Sequence, residues 1–335
     1  MGQLQSSLNF RYPYWGLLRL EQSSGDEDEE LRRFLRPLIS SFIADAGYRG
    51  PCNTKNEAFW TAVYRSAVET GVPHAEDSIS YRCLMLGGQY AIACFPTHPL
   101  DVQVYIAIYT WLAILVDDST SQDLPDIERF HQRLSNGEPQ PTRLLESFAL
   151  VLRSAFNHWD PIAASSIISA SINFFNACAL ELRPEIKNMA PTKGGLNLPW
   201  YLRQKSGIGD AYAYFAFPKV MYPNISCFIE AVPEIAMFVC LANDILSFYK
   251  EEQVGETTSY VHTTARYTGN DARGVLKDIV SQAKNAVARM RIIVKGKEPY
   301  EQALNNYIVG YIDFHMQGDR YKLREIGLGG TGEIA

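Results

Sequence analysis

The stretch Ala242-Asn243-Asp244-Ile245-Leu246-Ser247-Phe248-Tyr249-Lys250-Glu251-Glu252 closes an apolar run that begins near Pro233. Asn243, Ser247 and Glu251 recur every four residues, so on a helix their side chains stack along nearly one face. An amide oxygen, a hydroxyl and a carboxylate then converge on one point. Hard oxygen donors of this kind suit magnesium, which takes one or two protein carboxylates and leaves its other positions to water and phosphate. Polar residues at this spacing also describe the wet stripe of an amphipathic helix. The flanks oppose that second reading. Ile235, Ala236, Met237, Phe238, Val239, Cys240, Leu241 and Ala242 precede the triplet, and Ile245, Leu246, Phe248 and Tyr249 lie within it. A helix apolar nearly all round is a buried one, so the polar triplet is expected to face a cavity.

Outward from this run the helical period continues almost everywhere. It predicts helices over 29–46, 56–70, 77–94, 100–118, 124–135, 142–157, 161–182, 198–214, 224–231, 233–252, 257–267, 270–295 and 299–324. Prolines such as Pro125, Pro161, Pro199, Pro233 and Pro299 fall at the starts of these segments, where a missing N–H does least harm. No run of alternating strands and no internal repeat is evident. A length of 335 residues allows about two domains as a crude prior, and 47% apolar content is ample for a large core. No composition shift or Gly/Ser linker divides the chain, so one all-α domain over 51–325 is expected. A partly flexible segment 1–50 would precede it and a tail 326–335 would follow.

The net charge of −6 carries no dense basic stripe, which argues against nucleic acid as a partner. Cys52, Cys83, Cys94, Cys178, Cys227 and Cys240 are scattered, with no C-x-x-C pair and no His/Cys spacing able to hold zinc. They read as reduced, buried thiols of a cytoplasmic protein. The amino terminus shows no secretory signal. Met1-Gly2-Gln3-Leu4-Gln5-Ser6 does fit the loose acylation pattern with Gly2 as acceptor, beside the plainer reading of a frayed terminus. The acidic run Asp26-Glu27-Asp28-Glu29-Glu30 would repel an anionic membrane, so no stable membrane insertion is expected.

The run from Val102 to Val116 is apolar on all sides and by its length too short to span a bilayer, so a central core helix is expected. It ends in Asp117-Asp118-Ser119-Thr120-Ser121-Gln122-Asp123. Adjacent carboxylates at a helix C-terminus meet an already negative dipole end. A divalent cation reverses that balance and turns the corner into an attractive site. A polar loop opening after a buried helix is the alternative.

Two acidic metal motifs on separate buried helices make a resemblance specific. The sequence resembles the class I terpene synthases, and in particular the fungal trichodiene synthase family. Asp117-Asp118-Ser119 is similar to the aspartate-rich motif of that family, and Asn243, Asp244, Ser247 and Glu251 match its second motif, N-D-x-x-S-x-x-x-E, in full. Tyr201-Leu202-Arg203-Gln204-Lys205-Ser206-Gly207-Ile208-Gly209 resembles the segment that holds the family's diphosphate-sensing arginine, which would be Arg203. Gly318-Asp319-Arg320-Tyr321-Lys322-Leu323 looks like its terminal Arg-Tyr pair. These four motifs stand in the family's order across about residues 80–325. A strict D-D-x-x-D would need a carboxylate at position 121, where this chain has Ser121 and supplies Asp123 instead.

The resemblance implies a single helical bundle around a central active-site cavity, with magnesium, as three ions together with diphosphate, held by Asp117, Asn243, Ser247 and Glu251. Asp118 would support. Arg203, Lys250, Arg320 and Tyr321 would bind the diphosphate of a prenyl diphosphate and strengthen their hydrogen bonds as the leaving group departs. Trp111 and Tyr311 would face the carbocation, since aromatic faces attract cations without offering a nucleophile. The implied activity is that of a sesquiterpene cyclase acting on farnesyl diphosphate, and a homodimer is compatible with it. Two alternatives stay open: a chain-elongating prenyltransferase, whose second motif would be aspartate-rich, and a catalytically silent isoprenoid-binding protein.

Overall fold

Side-chain oxygens start several helices of this chain by capping the first free N–H groups. Asn56 accepts from the amide of Phe59, Ser78 from Tyr81, Thr142 from Leu145, Asp160 from Ile162 and Asp271 from Gly274. Proline occupies the first turn at 125, 161, 184, 199 and 233. The computed structural model describes residues 25–51 and 56–328, and the Gly2 acylation pattern, the segment around Asn9 to Trp15 and Cys52 lie outside the described residues.

The helices are α1 (Gly25–Ala46), α2 (Glu57–Thr70), α3 (Ile79–Cys94), α4 (Leu100–Asp117), α5 (Leu124–Asn136), α6 (Arg143–His158), α7 (Pro161–Leu182) and α8 (Pro184–Lys187). They continue with α9 (Leu198–Ser206), α10 (Gly209–Phe215), α11 (Val232–Gln253), α12 (Tyr260–Thr268), α13 (Ala272–Val294) and α14 (Tyr300–Gln317). No strand occurs among the described residues. The fold is therefore all-α, as expected.

Packing arranges six of these helices in a closed ring: α3 lies on α4, α4 on α7, α7 on α10, α10 on α11, α11 on α14, and α14 back on α3. Helices α4, α7 and the run Ile229–Gln253 are long and apolar enough to cross a membrane by length and composition, which corrects the reading of the α4 run as too short. In this fold 67%, 56% and 72% of their apolar windows are buried against other protein elements. Their hydrophobicity is accounted for by core packing.

Two glycines let ring neighbours touch backbone to backbone. A Cβ on Gly310 of α14 would come within 2.0 Å of the Ala93 carbonyl oxygen on α3, and one on Gly87 of α3 within 2.5 Å of the Ala107 carbonyl oxygen on α4. Gly310→Ala is expected to destabilise the protein by about 2 kcal/mol: overpacking against immobile backbone costs ~3 kcal/mol, offset by ~1 kcal/mol of better helix propensity. Denaturant unfolding measures this, and an unchanged midpoint would mean that α14 can lift from α3 at little cost.

The structure departs from the sequence reading in several places. The helix expected over 198–214 is broken into α9 and α10, with Ile208 at φ +50 between Gly207 and Gly209. A Cβ on Gly207 would meet the Cys240 sulfur at 2.5 Å, and one on Gly209 the Ala236 carbonyl at 2.6 Å. The break exists because this backbone is pressed onto α11. Likewise the segment 224–231 is a pair of 3-10 turns. The last helix stops at Gln317, and Arg320 and Tyr321 sit on a 3-10 turn beyond it, entered through extended Gly318 at φ −75 and ψ 113. Helix α1, expected from 29, packs on α13, α11 and α14, with Leu35, Ile39 and Phe42 fully buried. Its acidic first turn, Asp26, Glu27 and Asp28, opposes the positive dipole end.

Candidate active site

Asn243, Ser247 and Glu251 lie on α11 as the spacing predicts, and the structure brings the last two into contact. Ser247 Oγ donates to Glu251 Oε1 at 2.5 Å. Both are buried, Ser247 1% exposed and Glu251 8%. Glu251 Oε2 is buried with no hydrogen-bond partner among the described residues. A carboxylate oxygen rarely stays buried and unpaired, because its desolvation goes uncompensated. Oxygen donors with one such orphaned atom fit a hard divalent cation.

Arg203, near the end of α9, is brought to the same helix by the α9–α10 break. Its Nε donates to Asp244 at 3.0 Å, and its Nη2 donates to the Cys240 carbonyl at 2.8 Å and to Asn243 Oδ1 at 3.1 Å. The ion pair is largely buried, with 14% and 7% of the two side chains exposed. Burial disfavours charge on both partners. The Asp244 carboxylate outweighs that penalty for Arg203, which stays cationic; Asp244 itself is held above the usual carboxylate range by burial although Arg203 pulls it down. Arg203 thus grips the metal motif as well as facing the space beside it.

Asp117 closes α4 across from α11. Its side chain keeps solvent-accessible surface, yet burial is the strongest influence on its ionisation. Burial and then the neighbouring Asp118 push Asp117 up to about 6, while Arg320, Arg203 and Lys250 pull it back. Lys250 is lowered by burial and by Arg320, and its ammonium lies 5.9 Å from the centre of the Tyr321 ring. Arg320 is held cationic, since Tyr321, Asp118 and Asp117 outweigh its burial. Arg203 of α9, Lys250 of α11 and Arg320 of the terminal turn therefore act on one carboxylate, Asp117, and Tyr321 stands beside Lys250 and Arg320.

Asp117 ionised in the empty protein is strained, and its sign is the reverse of a salt-bridged carboxylate. With its pKa above the unfolded value, the folded state binds more protons, so this group's penalty is present above about pH 6 and fades as pH falls toward the unfolded value near 4. Asp117→Asn is expected to raise the melting temperature of the metal-free protein by roughly 1–3 °C at pH 7.5, with the gain vanishing near pH 4. A variant that melts lower than the parent at pH 7.5 would contradict this.

Two expectations meet different surroundings. Trp111 is fully buried: its indole N–H donates to Ser80 Oγ at 3.3 Å and its ring meets His74 edge-on at 5.4 Å. Trp111 packs in the contact between α4 and the segments before it. Tyr311 points inward from α14, where its hydroxyl donates to the Val239 carbonyl at 2.8 Å and its ring packs on Tyr90 and Phe238. Asp123 is turned away into its own loop, where Oδ2 accepts from the Thr120 amide and hydroxyl.

Residues not named by the sequence join the site. Glu181, at the end of α7, is exposed to solvent yet pushed up to about 7 by burial and by Asp117. The argument from a carboxylate at a helix C-terminus, used for Asp117, applies equally there and could have found it. Tyr90 on α3 meets Tyr212 of α10 at 5.0 Å and Phe314 of α14 at 5.4 Å, and its hydroxyl pairs with that of Tyr307. This aromatic wall joins three ring helices. Among 19 Tyr and 16 Phe no sequence signal singles it out. Cys83 on α3 feels Asp118 and Arg320 and is raised to about 12 by burial, so it stays a thiol.

Known proteins resemble this chain. The sequence model of the family described as trichodiene synthase (TRI5) matches residues 82–328. Longiborneol synthase CLM1 of Gibberella zeae is 38% identical over 316 residues, covering 93% of each chain. Terpene synthase BipA of Cochliobolus sativus is 34% identical over 294 residues, covering 86% of this chain and 89% of that one. The crystal structure of linalool/nerolidol synthase from Streptomyces clavuligerus with 2-fluorogeranyl diphosphate superposes with a TM-score of 0.59 at 13% identity, over 81% of this chain and 98% of that one. At that identity the last likeness speaks for the fold.

Proposed function

The chain belongs to the trichodiene synthase family of terpene synthases, and from that premise we propose that it is a magnesium-dependent sesquiterpene cyclase acting on farnesyl diphosphate. The observation that carries this is the gathering of the cations Arg203, Lys250 and Arg320 about Asp117, with the buried Ser247–Glu251 pair on the same helix as Lys250. Asn243, Ser247 and Glu251 would hold one magnesium ion and Asp117 others, with Asp118 and Glu181 adding negative charge nearby. When bound, magnesium neutralises the charge that grows on diphosphate and makes it a better leaving group.

The chain's own residues do the rest. The C1–O bond of the substrate breaks with its electron pair going to diphosphate, leaving an allylic cation. Arg320, Lys250 and the Tyr321 hydroxyl donate to the phosphate oxygens, and these charge-assisted bonds strengthen as the anion forms. Arg203 spends Nε and Nη2 inside the protein, which leaves Nη1 for the same anion. The wall of Tyr90, Tyr212, Tyr311 and Phe314 would hold the cation out of water, each face worth ~0.5–2 kcal/mol. The second motif is of the Asn/Ser/Glu type, which supports cyclisation over chain elongation.

The family relatives named for sesquiterpene products support a C15 substrate, and a cytoplasmic site of action fits reduced thiols. Incubation of the purified chain with magnesium and C10, C15 or C20 diphosphate, followed by identification of volatile products, tests the proposal. Cyclic C15 products that disappear with a chelator and return with added magnesium are expected. Undiminished turnover in metal-free buffer, or products from C10 or C20 substrate alone, would sink it.

A further inference from the structure

Asn243 has two chemically opposite ends, and both are held. Its Oδ1 accepts from Arg203 Nη2 at 3.1 Å, and its Nδ2 lies 3.3 Å from His315 Nε2. A guanidinium only donates, so the atom beside Arg203 is the oxygen and the atom beside His315 is the amide nitrogen. On the far side of the imidazole, His315 Nδ1 lies 2.8 Å from the Tyr311 carbonyl oxygen, which only accepts. The ring proton is therefore on Nδ1, and a neutral ring presents a lone pair at Nε2. The amide nitrogen of Asn243 can only donate, so Nε2 is the acceptor of that contact. The ring itself is clamped, 1% exposed, with Tyr321 at 4.3 Å, Tyr311 at 4.7 Å and Phe314 at 5.1 Å.

We propose that His315 is a positioning residue for the metal site: its Nε2 lone pair accepts from the Asn243 amide and so presents the oxygen of that side chain, and not its NH2 group, to the divalent cation. This rests on the reading of Asn243 as a metal ligand. Asparagine's two ends have nearly the same shape, so packing alone cannot choose between them; only hydrogen bonding can. Arg203 reads the same orientation in the empty protein. A guanidinium and a divalent cation repel each other at one oxygen, so as the cation approaches, His315 is the constraint that remains. Partners that orient a metal ligand from behind typically set ten- to a hundred-fold in metal affinity.

The test replaces His315 in the full chain by Phe, which keeps the ring and loses the acceptor, and by Gln, whose side-chain oxygen reaches the place of Nε2. Manganese serves as the probe, in the presence of inorganic diphosphate, with free Mn2+ counted by electron paramagnetic resonance and folding followed by thermal melting. His315→Phe is expected to bind Mn2+ about ten-fold or more weakly while remaining folded, and His315→Gln is expected to recover most of that loss. Parental affinity in His315→Phe would overturn the inference. Equal weakness in the Phe and Gln variants would also overturn it, because ring packing rather than the lone pair would then matter. Should Asn243→Ala bind Mn2+ as well as the parent, the reading of Asn243 as a ligand fails instead.

Discussion

Replacing Glu251 with alanine leaves a folded protein that turns substrate over roughly a thousand times more slowly. The fold survives because the carboxylate contributes little to it: among the described residues Oε2 has no hydrogen-bond partner, and Oε1 receives a bond from Ser247 on the same helix. Removing a buried charge with so few bonds relieves desolvation as much as it removes contact. The loss falls on the reaction. A metal that stabilises a leaving anion is worth several kcal/mol, and at about 1.4 kcal/mol per factor of ten the loss of one ion amounts to about three orders of magnitude. Asn243→Ala should reach a similar rate but melt lower, since it strands donors on Arg203 and the acceptor on His315. Circular dichroism and melting curves recorded beside single-turnover rates separate these effects. A Glu251→Ala protein that unfolds, or one that keeps parental turnover, would show the triplet to be structural.

Arg203→Met is expected to remove both activity and a large part of the stability. The guanidinium fixes three acceptors of α11 at once: the Asp244 carboxylate, the Cys240 carbonyl and Asn243 Oδ1. Breaking a buried ion pair from one side costs about 3–5 kcal/mol, because the remaining charge is uncompensated. Burial already holds Asp244 above its usual range, and without Arg203 that shift grows. A carboxyl with a raised pKa is neutral below it, so the instability of Arg203→Met should be severe at pH 8 and relieved as the pH falls. Adding Asp244→Asn removes the stranded charge and should return most of the stability at pH 8 without returning turnover, since the donors to Cys240 and Asn243 are still missing. Denaturant unfolding of the single and double variants at two pH values checks this. A double variant as unstable as the single one would mean that Asp244 is not what suffers.

The metal motif was legible because it is local. Asn243, Ser247 and Glu251 sit one turn apart, and a helix of period 3.6 places such residues on one face whatever surrounds it. The Asp117 corner was legible for a similar reason, a carboxylate pair ending an apolar helix. Trp111 shows where this kind of reading stops. Spacing along one helix does not tell which of several packed neighbours a side chain faces, and Trp111 faces Ser80 and His74.

The broken helix at Ile208 is a second such limit. Gly207 and Gly209 signal a weak point, but a glycine inside a helical pattern is compatible with an unbroken helix. What decides is the approach of α11, whose Ala236 carbonyl and Cys240 sulfur occupy the space where side chains would stand. That contact turns Arg203 into a partner of Asp244, a residue 41 positions further on.

By itself, then, the order of residues determined the helical class, the single polar stripe on α11, the acidic end of α4 and the family, because each depends on neighbours within a few turns or on the residues themselves. Tertiary structure alone decided that α3, α4, α7, α10, α11 and α14 close into a ring, that Asp117 of α4 acts on Glu181 of α7, and that His315 meets the amide of Asn243 across 72 residues. The physical reason is that burial, pairing of charge and the orientation of an amide are set by atoms brought close in space, and a chain of helices can bring many different residues close until packing selects one arrangement.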